Sequence, residues 1–161
     1  YTTLATMIFE SDIKVDKIRS FDINDTCVAI AETFNKPWVM DDWKFKATTQ
    51  DILDIDYNNF CYKSIRSNGS KCDLVDTADT IINTSCEHID QALLYKSIDS
   101  APPKTLFVLQ SNNYKEIQQH INCVENIEQF TKQYESRLDK IRAYELDKQK
   151  YKRFMILGVK K

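Results

Sequence analysis

The side chains best suited to chemistry in this 161-residue chain lie in one polar stretch that follows a short apolar segment. Residues 80–84 form a β-branched run whose length is typical of a buried strand, and polar residues from Asn83 to Ser85 end it. Glu87 and His88 follow directly, so a carboxylate and an imidazole, both able to take up a proton, stand beside amide and hydroxyl groups. Open α/β sheets bind their ligands at the carboxyl ends of strands, where these residues are predicted to lie.

A plain strand–helix junction would also explain these polar residues. Ser85 is a candidate N-cap for a helix predicted from Glu87 to Ile98, because a serine oxygen can accept a hydrogen bond from the first turn of a helix. The pattern alone therefore leaves a functional site and a polar helix start both open.

Composition places the chain among folded globular proteins and excludes several classes. The net charge of −2 gives no general attraction to nucleic acid or anionic membranes. There is no apolar run long enough to span a membrane and no signal-peptide pattern, so we expect a cytoplasmic protein with no membrane partner. Five widely spaced cysteines without a C-x-x-C predict reduced thiols and no metal site. With only Gly69 and Gly158, no glycine-rich phosphate loop can be drawn.

Three other predicted strands also end in polar residues. These strands and their polar ends are 17–22 with Asp22, 43–49 with Gln50 and Asp51, and 104–110 with Ser111, Asn112 and Asn113. Polar groups at several strand ends are expected where the carboxyl edge of a sheet forms a binding site.

The remaining segments predict alternating helices and strands. Helices are predicted at 1–10, 26–34, 114–123 and 127–134, and strands at 142–146 and 151–159 close the chain as an antiparallel pair. Asn68-Gly69 between two strand-like runs predicts a hairpin, which we interpret as an insertion at about 57–77. The order predicts one α/β domain, 1–161, with a mostly parallel sheet and an antiparallel end.

This order of elements resembles the class I S-adenosylmethionine-dependent methyltransferases, whose sheet ends in the same antiparallel strand pair. The phrases that are similar to a small methyltransferase-like group of bacteriophages are SFDIND, WKFKATTQDILDIDY, DTIINTSCEHI, TLFVLQSNNY and YKRFMILGVK. The likeness extends over nearly the whole chain. It implies a Rossmann-like α/β fold with helices on both faces of the sheet, and S-adenosylmethionine as cofactor.

The resemblance implies roles for the first two polar strand ends. Asp22 matches the acidic residue that binds both ribose hydroxyls of the cofactor, and a carboxylate can accept two hydrogen bonds from a diol. Ile23 would pack on the adenine ring, and Asp51 matches the acidic position that receives the adenine amino group. From the residues alone, Asp22 or Asp25 could instead cap the following helix, and Asp51 could be a turn former.

Roles are also implied for the stretch described first. Asn83, Thr84 and Ser85 would line the floor beside the methionine moiety. Glu87 and His88 would begin the helix over the pocket and are the candidates for a catalytic base. A packing or hydrogen-bonding histidine is the alternative for His88, and His120 gives a weaker signal still.

The sequence departs from the family at two points. The first strand and glycine-rich loop of the family precede its first helix, whereas here that helix starts near Tyr1, so both are missing from the sequence. An upstream segment or another chain would have to supply the strand, and we expect the upstream segment. Residues 83–86 read Asn-Thr-Ser-Cys, without the prolines of the acceptor motif in DNA amino-methylating enzymes, so methylation of DNA bases is disfavoured.

Two hypotheses follow for the function. The first is methyl transfer from S-adenosylmethionine to an oxygen or nitrogen atom of an unidentified acceptor. The alternative is a non-catalytic methyltransferase-like protein with a structural or partner-binding role, for example a phage component located in the host cytoplasm or the virion. An oligomer or an assembly partner is compatible with either hypothesis.

Overall fold

The structure, a computed structural model, describes residues 3–65 and 69–161. The chain forms two compact units that meet in sequence at Ile55 and Asp56. The prediction of a single domain concerns the arrangement of these units and stays a prediction.

The first unit contains a pair of parallel strands covered by helices. Its elements are α1 (Thr3–Phe9), β1 (Ile18–Asp22), α2 (Asp25–Phe34), α3 (Lys36–Met40) and β2 (Phe45–Thr49), followed by a short 3-10 turn (Ile52–Asp54). Strands β1 and β2 run in register from Ile18 opposite Phe45 to Asp22 opposite Thr49. Both strands therefore end at the same edge.

Burial of small and aromatic side chains holds this unit together. Its buried cluster consists of Ala5, Ala31, Phe45 and Ala47, with Phe9, Ile18, Val28, Trp38 and Val39 packed against it. Helix α2 begins where predicted because the side-chain oxygen of Asn24 accepts a hydrogen bond of 3.0 Å from the amide of Thr26. Val28 of α2 packs on this cluster, whereas Phe34 at the end of the helix is 58% exposed.

The second unit contains a hairpin and a four-stranded sheet. Its elements are β3 (Phe60–Ile65), β4 (Lys71–Asp76), β5 (Thr80–Asn83), a 3-10 turn (Cys86–His88), α4 (Gln91–Ser100), β6 (Leu106–Asn112), α5 (Ile127–Tyr134), β7 (Leu138–Asp147) and β8 (Lys152–Lys160). Strands β3 and β4 pair antiparallel, as the sequence predicts. Gly69 has a φ of 80°, which suits glycine, while Asn68 of the predicted turn lies outside the described residues.

The four-stranded sheet has the order β5-β6-β8-β7. Strands β5 and β6 are parallel, and β8 is antiparallel to both of its neighbours, so β5, β6 and β7 run in one direction and β8 in the other. The prediction of an α/β fold with parallel strands and an antiparallel C-terminal pair is confirmed.

The core of this sheet follows from the period-two pattern of β6 and β8. Phe107 and Leu109 of β6 are buried, opposite Gly158 and Ile156 of β8. Glycine suits position 158, because a Cβ atom there would lie 2.9 Å from the Cβ of Leu138 and the neighbouring chain would have to shift.

Two predicted helices are corrected by the structure. The helix predicted from Glu87 begins only at Gln91, because the carboxylate of Asp90 accepts hydrogen bonds from the amides of Ala92 and Leu93 and so caps the helix there. Ser85 makes no side-chain cap. The helix predicted at 114–123 is an irregular loop, whose hydrogen bonds are described below. In the described part of the chain, no helix is long and apolar enough to cross a membrane.

Candidate functional site

A polar cleft of about 350 Å³ lies at the carboxyl ends of β5 and β6. The two strands are parallel and in register, with Asn83 opposite Leu109, so the residues that follow them meet at one edge of the sheet. The cleft is lined by Thr84, Ser85, Glu87, His88, Asn112, Tyr114, Ile117, His120, Tyr151 and Arg153.

Four of the predicted site residues come together in this cleft, namely Thr84, Ser85, Glu87 and His88. Asn83 precedes these residues at the end of β5: its side-chain oxygen accepts a hydrogen bond of 2.9 Å from the amide of Ser85 and turns the chain after β5. Asn83 is not among the lining residues, so its role toward a ligand stays a prediction.

Glu87 forms a buried pair with Asn112. The two side chains are 3% and 2% exposed, and the amide nitrogen of Asn112 donates a 2.7 Å hydrogen bond to Oε1 of Glu87. The second carboxylate oxygen, Oε2, is buried and has no hydrogen-bond partner among the described residues. An unpartnered buried carboxylate oxygen is costly, and such an atom in a native structure calls for a functional explanation.

The irregular loop after β6 carries His120 to the cleft. Nδ1 of His120 donates to the carbonyl oxygen of Tyr114 at 2.5 Å, and the Tyr114 amide donates to the side-chain oxygen of Asn112 at 2.8 Å. The amide of Asn122 donates to the carbonyl of Glu87 at 3.0 Å, which ties the loop to the 3-10 turn. These bonds explain why the segment is not helical: its polar groups find partners on the sheet edge instead.

His88 lies opposite His120. The ring centroids are 4.6 Å apart with an interplanar angle of 81°, and Nδ1 of His88 lies 3.2 Å from the carbonyl oxygen of Gln119. Because a carbonyl can only accept, Nδ1 carries the proton in both histidines, and Nε2 is the nitrogen with a free lone pair in the neutral ring.

The thiols next to the cleft are held in the neutral form. Burial, followed by the charge of Glu87, raises the pKa of Cys86 to about 12. The same two causes raise the pKa of Cys123, whose thiol also lies 3.3 Å from the carbonyl of Tyr114. Neither thiol is therefore a candidate nucleophile, since the thiolate is the reactive form.

The other predicted site residues lie in the first unit, at the carboxyl edge of β1 and β2. Oδ1 of Asp22 accepts a 2.9 Å hydrogen bond from the Asn24 amide, which leaves its second oxygen for a further partner. Ile23 is 77% exposed. Oδ1 of Asp51 accepts from the Leu53 amide at 2.9 Å and caps the 3-10 turn, in line with the turn-former alternative. The cofactor roles of these three residues stay predictions.

Sequence reasoning gave little weight to His120 and did not consider Tyr114 or Arg153. The chain contains two histidines, and they lie beside each other in the cleft. Their low number in the sequence could have suggested that they act together. A helix at 114–123 would not place His120 near His88, so the predicted secondary structure did not indicate that the two rings are close.

Three solved structures are similar to this chain. N-methyltransferase NodS from Bradyrhizobium japonicum WM9 has a TM-score of 0.58 and 12% identity, over 89% of this chain and 73% of that one. NodS in complex with S-adenosyl-l-homocysteine has a TM-score of 0.57 and 12% identity, over 89% and 66%. TehB from Haemophilus influenzae has a TM-score of 0.52 and 12% identity, over 90% of this chain and 50% of that one. No protein-family model and no curated protein matches the sequence.

At this identity the likeness shows the fold alone. The chain shares its α/β fold with NodS and TehB, and in its own sheet the antiparallel strand β8 lies between β6 and β7. The cleft lies at the edge of the sheet where proteins with open α/β sheets bind their ligands.

Proposed function

We propose that this protein transfers the methyl group of S-adenosylmethionine to an oxygen or nitrogen atom of an acceptor. The observation that carries the proposal is the position of the polar cleft at the carboxyl ends of β5 and β6 in a methyltransferase fold. A neighbour of the same fold has been crystallised with S-adenosyl-l-homocysteine, the demethylated cofactor. This supports the choice of cofactor.

The cofactor assignments follow the strand ends. Asp22 would bind the ribose hydroxyls with the carboxylate oxygen that the Asn24 amide leaves unused, and Asp51 would receive the adenine amino group. The exposed side chain of Ile23 would pack on the adenine ring, which would remove its apolar surface from water. Asn83, Thr84 and Ser85 would lie beside the methionine moiety.

Methyl transfer places few demands on the protein beyond alignment. It is an in-line displacement with a good sulfonium leaving group, so most of the rate gain comes from holding donor and acceptor together. If the acceptor has to lose a proton, His88 is the better base. Its Nδ1–H is held by the Gln119 carbonyl, which leaves Nε2 free to accept, and its side chain is exposed in the cleft, whereas Glu87 is buried.

The cofactor assignment can be tested by calorimetric titration of the full-length protein with S-adenosylhomocysteine. Asn at position 22 keeps the oxygen that accepts from the Asn24 amide but removes the charge, so Asp22→Asn should retain the turn and weaken binding. Loss of a charge-assisted hydrogen bond predicts an affinity about 10- to 100-fold lower.

Asp25→Asn is the matched control, because Asp25 is exposed in the first turn of α2 and does not cap it. This variant should bind S-adenosylhomocysteine as tightly as the wild type. Equal affinity in a folded Asp22→Asn protein would remove the ribose assignment. Absence of binding by the wild-type protein would favour the non-catalytic alternative.

A further inference from the structure

Glu87, His88 and His120 form a cluster whose composition is that of a metal site. One candidate ligand atom from each residue lies within 4.8 Å of the other two. Glu87 and His88 are adjacent in the 3-10 turn after β5, and His120 comes from the loop after β6. The cluster uses every histidine in the chain.

Both imidazoles are oriented in the way that metal-binding histidines usually are. Each donates its Nδ1–H to a backbone carbonyl, that of Gln119 for His88 and that of Tyr114 for His120. Such hydrogen bonds fix the tautomer, so Nε2 of each neutral ring is left as a ligand. For the described residues, neither Nε2 atom has a hydrogen-bond partner of its own.

Glu87 supplies the independent observation. Its side chain is 3% exposed and lines the cleft, Oε1 is held by Asn112 at 2.7 Å, and Oε2 has no partner in the described chain. A carboxylate held by a second residue through one oxygen, with the other oxygen open, is a common arrangement at metal centres. A bound cation would satisfy the oxygen that the protein leaves unpaired.

We propose that Glu87, His88 and His120 bind a divalent transition-metal ion of the zinc type. One candidate ligand atom from each of the three residues lies within 4.8 Å of the other two, so the three atoms share a point no more than about 2.8 Å from each, which is within about 1 Å of the bond lengths of about 2.0–2.2 Å found for Zn²⁺. Two imidazoles and one carboxylate favour such an ion over Mg²⁺ or Ca²⁺, which select oxygen ligands.

Arg153 is the cation that also lines the cleft. In the described chain it makes no ion pair within 4 Å with Glu87, so the carboxylate is not neutralised by it. The guanidinium opposes a second positive charge in the cleft, and this should lower the affinity for the metal without removing any of its three ligands.

The metal would have two consequences. It would tie the loop after β6 to the 3-10 turn, and with three protein ligands a four-coordinate ion keeps one position for water or an acceptor oxygen. A bound ion would also coordinate Glu87 and His88, the candidates for a catalytic base. With the metal bound, these two residues would act as its ligands and not as a base. This proposal does not depend on the cofactor assignments, and metal binding can be measured without any cofactor.

The test is equilibrium dialysis of the untagged, metal-free, full-length protein against Zn²⁺, with Mg²⁺ in a parallel cell. We expect about one Zn²⁺ per chain and no comparable uptake of Mg²⁺. His120→Ala and Glu87→Gln should each weaken Zn²⁺ binding by at least about tenfold. Glu128→Gln, at an exposed position on α5, is the matched control and should bind as the wild type does.

Nuclear magnetic resonance of the two histidine rings gives a second readout that does not depend on stability. Zn²⁺ should shift the ring signals of both histidines at one equivalent, and Mg²⁺ should shift neither. Zn²⁺ uptake with unmoved histidine signals would mean that the ion is bound elsewhere, for example by the cysteines, and would overturn the proposal. Uptake well below one equivalent by the wild type, or unchanged uptake by folded His120→Ala protein, would also overturn it.

Discussion

Replacing Asn112 with alanine tests the buried polar pair at the base of the cleft. The change removes the donor of the 2.7 Å hydrogen bond to Glu87 and the acceptor of the 2.8 Å bond from the Tyr114 amide. Glu87 is 3% exposed, so water cannot easily replace the lost donor and the carboxylate is left buried with neither oxygen paired. A structural role for this pair therefore predicts a large loss of stability.

The magnitude follows from the two lost bonds. A hydrogen bond to a charged group contributes about 1.5–3 kcal/mol, and leaving the Tyr114 amide unpaired costs about 1 kcal/mol more. The expected decrease in the free energy of unfolding for Asn112→Ala is thus about 2.5–4 kcal/mol. With a urea dependence of about 2 kcal/mol/M, the midpoint of urea unfolding should fall by about 1.3–2 M.

The assay is urea unfolding in metal-free buffer, repeated in a Glu87→Gln background. Glutamine still accepts the hydrogen bond of Asn112 but carries no charge, so Asn112→Ala should cost about 1–2 kcal/mol less there. A cost below about 1 kcal/mol in the wild type, or the same cost in both backgrounds, would refute the account of a buried charged pair.

Four further predictions concern the fold around the site. Gly158→Ala should lower the free energy of unfolding by about 1–3 kcal/mol in urea unfolding, because its Cβ would lie 2.9 Å from that of Leu138; an unchanged midpoint would show that the contact relaxes freely. Cys61, which is exposed, should react with a thiol reagent at pH 8, whereas Cys86 should react only after unfolding; rapid labelling of Cys86 in the folded protein would contradict its burial. Because burial raises the pKa of Cys86 from its ordinary value of 9.0 to about 12, the contribution of this thiol to stability is complete below pH 9 and is lost as pH rises toward 12; a folded Cys86→Ala variant should lose less stability over that range, and an equal loss would count against this. Asn126→Ala should lower the free energy of unfolding by about 1 kcal/mol, since the Asn126 side chain caps α5 by accepting a 2.8 Å hydrogen bond from the Gln129 amide. The measurement is circular dichroism melting, and an unchanged melting temperature would contradict the capping role.

Local patterns predicted most of the sheet. The strand ending at Asp22 and the strand containing Ile81 appear where the β-branched runs indicate, and the C-terminal strands pair as expected. These elements could be predicted because the alternation of buried and exposed residues along a strand can be recognised within a short stretch of sequence. The order of helices and strands predicts the α/β fold class, and the structure confirms it.

Tertiary and capping contacts determine two features that local sequence patterns predicted wrongly, namely the conformation of residues 114–123 and the start of the helix after β5. Residues 114–123 have helical spacing, but the His120 ring bonds to the carbonyl of Tyr114, the Tyr114 amide donates to Asn112 at the sheet edge, and the helix does not form. The helix after β5 starts late because Asp90 competes successfully with Ser85 as its cap. The proximity of the two histidines depends on both of these events, and neither is visible in a single stretch of sequence.

The proposal that this fold binds S-adenosylmethionine is tested most directly by a crystal structure of the full-length protein with S-adenosylhomocysteine. We expect the ribose hydroxyls within hydrogen-bonding distance of the Asp22 carboxylate and the adenine ring against Ile23. We also expect the amino acid moiety of the ligand beside Thr84 and Ser85. A structure determined with saturating S-adenosylhomocysteine in which none of these residues contacts the ligand would contradict this expectation.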